Sequence, residues 1–414
     1  MSQTLGIDFG TSNSAAGISI NGNPFLIEVE QGEKTLPTAV FFDFEAGKTL
    51  YGQRANRALI NGDEGRYMRA LKSILGTPLM HESRMMMGER ITFVDVIARF
   101  LKRIKARAEE ICHQDFDHAL SGRPVFFHSN DSAKNDQALA DLTQCYLAAG
   151  FKDVRFMAEP EAAAVAAGAS DNSAGLKLIV DIGGGTSDFT VFQNTDDGID
   201  ILASHGLRLG GTNFDRTLSF DHVMHLFGKG SDIRKDFGPG THAAPTAIFH
   251  DLATWQMIPF LYAPDVRRKV DDLQKYAVAP KPFERLTSVL EHHLGHDIAF
   301  AVERGKIQAN KDGSGLINLT SVEPRLQQAL NGEMLAQSLA PQMQSLQHSV
   351  EETLTLANCR PHDIESVIFV GGSSLMGVVI QTVQNIFPQA KLQHSDAFTA
   401  IIDGLAIASG IPNS

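Results

Sequence analysis

Two stretches of the chain carry the same order of residue types. Leu5-Gly6-Ile7-Asp8-Phe9 runs into Gly10-Thr11-Ser12-Asn13-Ser14, and Leu178-Ile179-Val180-Asp181-Ile182 runs into Gly183-Gly184-Gly185-Thr186-Ser187-Asp188. In each, an apolar run delivers an aspartate, then glycine, then hydroxyl side chains. Glycine lets backbone N–H groups approach a phosphate with no Cβ in the way, and the Thr11, Ser12 and Thr186 hydroxyls add donors. Asp8 and Asp181 are placed to hold the hydration shell of a Mg²⁺ neutralising β- and γ-phosphates. Two such loops facing each other would clamp a triphosphate. A third element, Val370-Gly371-Gly372-Ser373-Ser374, would let the backbone pass close to a nucleoside.

The element after each loop decides between phosphate-binding architectures. The first loop continues into a strand-like run, Ala16–Ile20, and Asn21-Gly22 reads as a tight turn into Phe25–Val29. The second continues through Phe189–Phe192, and Asp196-Asp197-Gly198 turns the chain into Ile199–Ala203. Dinucleotide-binding and Walker A loops open directly into a helix, so both are excluded. The repeat implies an internally duplicated, two-lobed α/β molecule. Phe93–Ile111 reads as an amphipathic helix whose Lys102, Arg103, Lys105 and Arg107 form a solvated face. Gly228–Pro245 reads as a loop or lid insertion, and Val350–Leu356 as a helix end before the last strand. His292, His293 and His296 read as a solvated helix face rather than a metal cluster, Met85–Met87 as packing, and Trp255 as core.

Composition narrows the class further. With 414 residues, 43% hydrophobic and 20% charged, the chain is globular and long enough for two or three domain-sized units. A net charge of -12 argues against binding nucleic acid or an anionic membrane, so an anion site has to come from loop amides, lysine and metal. Cys112, Cys145 and Cys359 are too sparse for a disulfide framework or a zinc site. No signal peptide or membrane span is visible, and a cytoplasmic location is expected.

The motifs together resemble the actin-like ATPase superfamily, and within it the ATPase domain of the seventy-kilodalton heat-shock (DnaK-type) chaperones. Besides the three glycine-rich elements, Leu36-Pro37-Thr38-Ala39-Val40, Tyr51-Gly52-Gln53-Arg54-Ala55 and Leu209-Gly210-Gly211-Thr212-Asn213-Phe214-Asp215 match in order, from residue 5 to about residue 410. The resemblance implies a fold of two lobes, each with a duplicated ribonuclease-H-like core, and a nucleotide cleft between them. It sets lobe I at 1–175, with a peripheral subdomain at about 37–111, and lobe II at 176–414, with one at about 221–304. Lys72, in Leu71-Lys72-Ser73-Ile74-Leu75-Gly76, takes the family's catalytic lysine role, and Glu159 that of its water-orienting glutamate, assisted by Asp188. Glu303 and Lys306 resemble the ribose-holding pair. ATP or ADP with Mg²⁺ is implied as cofactor, with lobe closure accompanying slow hydrolysis by a monomer.

The sequence departs from the family at defined points. Ile307 and Leu375 stand where two arginines usually stack on adenine, and Thr212 and Asn213 where acidic residues are usual. Weaker or less base-selective nucleotide binding is therefore expected. After Asp403-Gly404-Leu405 no acidic linker and no peptide-binding domain follow, so client binding of the usual kind is not expected, and a protein partner or co-chaperone is not identifiable. A small-molecule kinase, an actin-like filament protein and a non-hydrolysing nucleotide sensor are the alternatives that share such a clamp.

Overall fold

The computed structural model describes residues 4–128, 131–170, 175–195, 198–235, 238–394 and 399–411. The expected turn at Asp196-Asp197 lies outside them. Two sheets organise the larger part of the chain. In the first, β1 (Thr4–Phe9) pairs antiparallel with β2 (Asn13–Ile20), and β2 pairs antiparallel with β3 (Asn23–Leu26). On its other edge β1 is parallel to β4 (His118–Arg123), which is parallel to β5 (Asp153–Ala158).

The second sheet repeats these five strands in the same plan, without a counterpart to the short strand Thr35–Pro37 that also pairs with β2 in the first. β6 (Leu176–Ile182) pairs antiparallel with β7 (Ser187–Thr195) and β7 with β8 (Gly198–Leu207). β6 is also parallel to β9 (Ile364–Val370), and β9 to β10 (Lys391–His394). Asp8 and Asp181 are each the last residue but one of the central strand, just before its glycine loop. The duplication expected from the motifs is therefore a duplication of topology, in the mixed α/β arrangement of the actin-like ATPase fold.

The helices that bear on the site are α1 (Gln53–Asn61), α2 (Phe93–Cys112), α3 (Ser132–Ala148), α4 (Glu159–Ser170), α5 (Gly211–His222), α6 (Gly295–Asp312) and α7 (Ala400–Ser409). Thr92 starts α2 with a capping box to Asp95, and its apolar stripe (Val94, Ile97, Phe100, Leu101, Ile104) sinks into a continuous core reaching β1 and α3. α4 and α7 bind the two sheets together. Ala163 and Ala164 of α4 pack on Ile179 and Phe192 of the second sheet, while Ala162 meets Leu405 and Ala408 of α7 beside Ala15 and Leu120 of the first. The helices approach so closely that a Cβ on Gly404 would sit 1.7 Å from the Ala162 carbonyl oxygen. Since neither backbone yields cheaply, Gly404→Ala is expected to destabilise the protein by about 3 kcal/mol, read as a lowered midpoint in urea. An unchanged midpoint would show that the crossing is looser than these distances.

The chain divides into two compact units, Met1–Gly211 with Ser345–Ser414, and Thr212–Gln344. Within the second unit, Arg285 grips Glu323 through Nε and Nη2 at 2.8 and 3.2 Å, which with Lys281 holds the Glu323 carboxyl down at about 2. Three sequence readings change here. Gly228–Pro245 is not wholly irregular, because Asp232–Arg234 and Thr241–Ala243 form an antiparallel hairpin. His292 and His293 lie between two helices and are exposed, whereas His296 is buried with its ring 5.4 Å from that of Trp255. In the larger unit, Met86 packs in the core but Met85 and Met87 are exposed. Backbone direction, not residue type, separates the members of each cluster. Trp255 itself is core, as expected. No helix of the described residues is long and apolar enough to cross a membrane.

Candidate functional site

The two glycine loops meet within the larger unit. A Cβ on Gly184 would lie 2.3 Å from Ser12 Oγ, and one on Gly185 2.8 Å from Thr11 Oγ1, so a side chain at either position would force the facing hydroxyl to move. Gly183 N donates to Thr186 O at 3.0 Å, closing the second loop. The Leu209-Gly210-Gly211 segment lies against it: Gly211 N donates to Gly183 O at 2.9 Å, and a Cβ on Gly210 would come 2.6 Å from Gly185 N. The third glycine element arrives from β9. Gly371 takes φ +79°, a conformation glycine adopts without strain, and passes its backbone beside Asp181 and Ile182. Gly372 opens a short 3-10 turn, and Ser373 faces Gly211.

Beneath these loops sits a buried charged cluster. Lys72 Nζ donates to Glu159 Oε1, with both residues under 10% exposed. Asp8, Asp181 and Asp188 interact with the same pair. Burial and the Glu159 charge push Asp8 up to about 7, against the pull of Lys72. Asp188 is pushed to about 7 by burial and Glu159, opposed by bonds from Val125 N (2.7 Å) and the Thr186 hydroxyl. Burial, Glu159 and the two other aspartates hold Asp181 well above the usual carboxylate range. Burial alone would pull the Lys72 ammonium down, but Glu159, Asp8 and Asp188 overcome it and hold it above lysine's ordinary value.

Among the described residues, four carboxyl groups thus share one ammonium, and buried Asp181 Oδ1 and Asp188 Oδ2 find no hydrogen-bond donor. That excess of negative charge and unused acceptor capacity suits a hydrated divalent cation. Among the described residues no three His, Cys, Asp or Glu side chains are grouped closely enough to ligate a metal directly. The fit is therefore to an ion that these residues would hold largely through water.

Of the residues that position the site, Thr38 falls within the Leu36–Val40 motif, whereas Asp141, Arg208 and His128 carried no clear signal in the sequence. Thr38 Oγ1 donates to Gly10 O at 2.8 Å and lies 2.8 Å from Ser14 Oγ, bracing the first loop from beneath. The Lys72 segment is a 3-10 turn, Leu71–Ile74, entered through Ala70 at φ +56°. That left-handed alanine stores on the order of 1 kcal/mol of strain. The turn is held from two sides: Asp141 of α3 accepts from Gly76 N at 2.9 Å, and Arg208, just after β8, donates to Ser73 O. Arg208 Nη1 also lies 2.9 Å from His128 Nδ1, while His128 Nε2 lies 2.7 Å from Leu75 O. The sole sequence hint at Arg208 is its place immediately before the Leu209–Asp215 motif.

Asn13 begins β2, opposite Pro37. Glu303 and Lys306 lie on α6 in the second unit, where Lys306 Nζ is 2.8 Å from Asp215 of α5 and both partners are buried. Asp215 is the last residue of the Leu209–Asp215 motif, but its pairing with a lysine 91 positions later (306 minus 215) had no local signature. Ile307 and Leu375 are among the exposed large apolar residues.

Comparison with known proteins adds ancestry to this geometry. Residues 4–238 and 297–414 match the family model described as Hsp70 protein. The chain is 27% identical over 417 aligned residues to a protein of Cenarchaeum symbiosum (strain A) named chaperone protein DnaK. That alignment covers 99% of this chain and 54% of the relative, so the chain spans about half the relative's length. With the loops, the cluster and the family match all running through the same residues, the chain belongs to the Hsp70 family.

Proposed function

We propose that the chain binds Mg-ATP at the meeting point of the two glycine loops and hydrolyses it slowly, with lobe closure as its output. Membership of the family supports an ATP-binding, chaperone-like function. The observation that carries the finer reading is the set of buried Lys72, Glu159, Asp181 and Asp188 with half-buried Asp8, beside two matching phosphate-type loops.

In this reading the amides of Gly10–Asn13 and Gly183–Thr186 cradle the phosphates, assisted by the Thr11, Ser12 and Thr186 hydroxyls. Mg²⁺, when bound, would supply charge neutralisation for the phosphates, and Asp8 and Asp181 would hold it through water. Lys72 donates to the γ-phosphate and stabilises charge as the terminal bond breaks. Glu159 fixes the Lys72 ammonium and orients the attacking water, while Asp188, anchored by Val125 N, shapes the local field. Gly210, Gly211, Gly371, Gly372 and Ser373 border the phosphate and nucleoside side, and Glu303 and Lys306 keep the ribose role that the family resemblance implies.

Calorimetry with ATP and GTP, with and without Mg²⁺, tests the reading. Binding is expected to require Mg²⁺ and to prefer ATP by less than about tenfold, because aliphatic Ile307 and Leu375 replace guanidinium stacking of about 1 kcal/mol. Phosphate release should occur without any added acceptor. Absence of Mg²⁺-dependent nucleotide binding would overturn the assignment, and turnover that needs an acceptor would make the protein a kinase.

A further inference from the structure

A second cleft, distinct from the glycine loops, opens in the larger unit between the segment Val29–Leu36, the strand Lys48–Tyr51, α1 and α2. Its volume is about 1060 Å³. Two helices each direct a pair of arginines to it at same-face spacing: Arg54 and Arg57 from α1, Arg103 and Arg107 from α2. Arg107 is braced, donating from Nε to Glu28 O at 3.0 Å and from Nη1 to Glu110 at 2.9 Å. Arg54, Arg57 and Arg103 are exposed and, among the described residues, make no ion pair or hydrogen bond. Three unpaired guanidinium groups beside a fourth are conspicuous on a chain of net charge -12.

We propose that this cleft docks an extended acidic peptide segment of a partner protein. Guanidinium groups take carboxylates in bidentate fashion, and arginines on two separate helices suit carboxylates spread along a chain. Two acidic residues of the same lining select against a uniform polyanion. Glu30 and Glu33 line the same cleft, and a continuous run of phosphates would meet both. A peptide avoids that conflict by placing amide or hydroxyl side chains there. Leu50 and the ring of Tyr51 add apolar surface for an aromatic residue between the acidic ones. The volume slightly exceeds the usual range of small-molecule pockets, roughly 300 to 1,000 Å³, which also favours a peptide.

Fluorescence anisotropy on the full chain tests the proposal, using a labelled peptide of about ten residues in which Glu and Asp alternate with Tyr and Gln. Saturable binding is expected, weakening steeply as NaCl rises. Arg57→Glu with Arg103→Glu should weaken it at least tenfold, and Arg57→Gln with Arg103→Gln should do so by a smaller factor with the thermal midpoint unchanged. Inorganic tripolyphosphate at equal concentration should leave the peptide bound. The proposal falls if the peptide does not bind saturably, if both double variants bind it like the parent, or if tripolyphosphate displaces it at equal concentration. None of these residues belongs to the nucleotide site, so the outcome is independent of the ATPase reading.

Discussion

Lys72→Ala is expected to slow single-turnover ATP hydrolysis by on the order of 100- to 1,000-fold while changing ATP affinity by less than about tenfold. The asymmetry comes from how each task is distributed. On the proposed reading, phosphate binding would be spread over two loops of backbone amides and three hydroxyl groups, none of which depends on Lys72. On the same reading, charge developing on the γ-phosphate would be met by the Lys72 ammonium, which is buried and held by Glu159. Removing that ammonium also leaves Glu159 buried without its partner, which costs about 3 kcal/mol or more in the nucleotide-free protein. The kinetic comparison therefore belongs at saturating Mg-ATP, where ligand supports the fold. Glu159→Gln separates the two roles: it keeps a hydrogen-bond acceptor for Lys72 but weakens water orientation, so its rate should fall with little loss of affinity. Equal single-turnover rates for the parent and Lys72→Ala would remove Lys72 from the chemistry.

How much of this was legible in the sequence depends on the range of each interaction. The glycine loops were, because Asp, Gly and Thr stand side by side and the strand after each loop is visible as an apolar run. So was the duplicated topology, since both copies place the aspartate at the same point of the central strand. The supports of the site were not. Asp141 reaches Gly76 across 65 positions and Arg208 reaches Ser73 across 135, and no local pattern distinguishes such residues from solvated ones. The basic face of α2 shows the same limit. Lys105 pairs with Glu109 one turn on, as a solvated helix face should, but Arg103 turns towards a cleft that exists only because α1 packs nearby. His296 looked equivalent to His292 because three histidines share a seven-residue stretch, yet only α6 carries its side chain inward against Trp255.

The nucleotide-free protein is expected to lose stability as pH rises from about 5 to about 8. The cause is the aspartate cluster. In the unfolded chain Asp8, Asp181 and Asp188 titrate near 3.9. In the fold, burial and repulsion from Glu159 move Asp8 and Asp188 to about 7, and the same causes with the two other aspartates hold Asp181 well above its ordinary value. Between those limits the folded state binds more protons than the unfolded one, so the slope of unfolding free energy with pH is negative in this window. Stability present at pH 5 therefore declines as the folded carboxyls ionise. Glu323 acts with the opposite sign, but its contribution is lost only as pH falls below its ordinary value of 4.5 towards about 2, outside this window. For Asp188, almost wholly buried, the effect is on the order of 2 kcal/mol after allowance for its coupling to Lys72 and Glu159. Histidines titrate in the same range, so the informative quantity is the difference between the parent and Asp188→Asn. The variant should melt higher than the parent at pH 8 and close to it at pH 5, with the gap narrowing when Mg-ADP is added. The narrowing is expected because the ion stabilises the ionised carboxylates that put the parent at a disadvantage. A gap that is the same at both pH values would mean that these carboxyls are already ionised at pH 5, and that the excess negative charge is relieved without a cation.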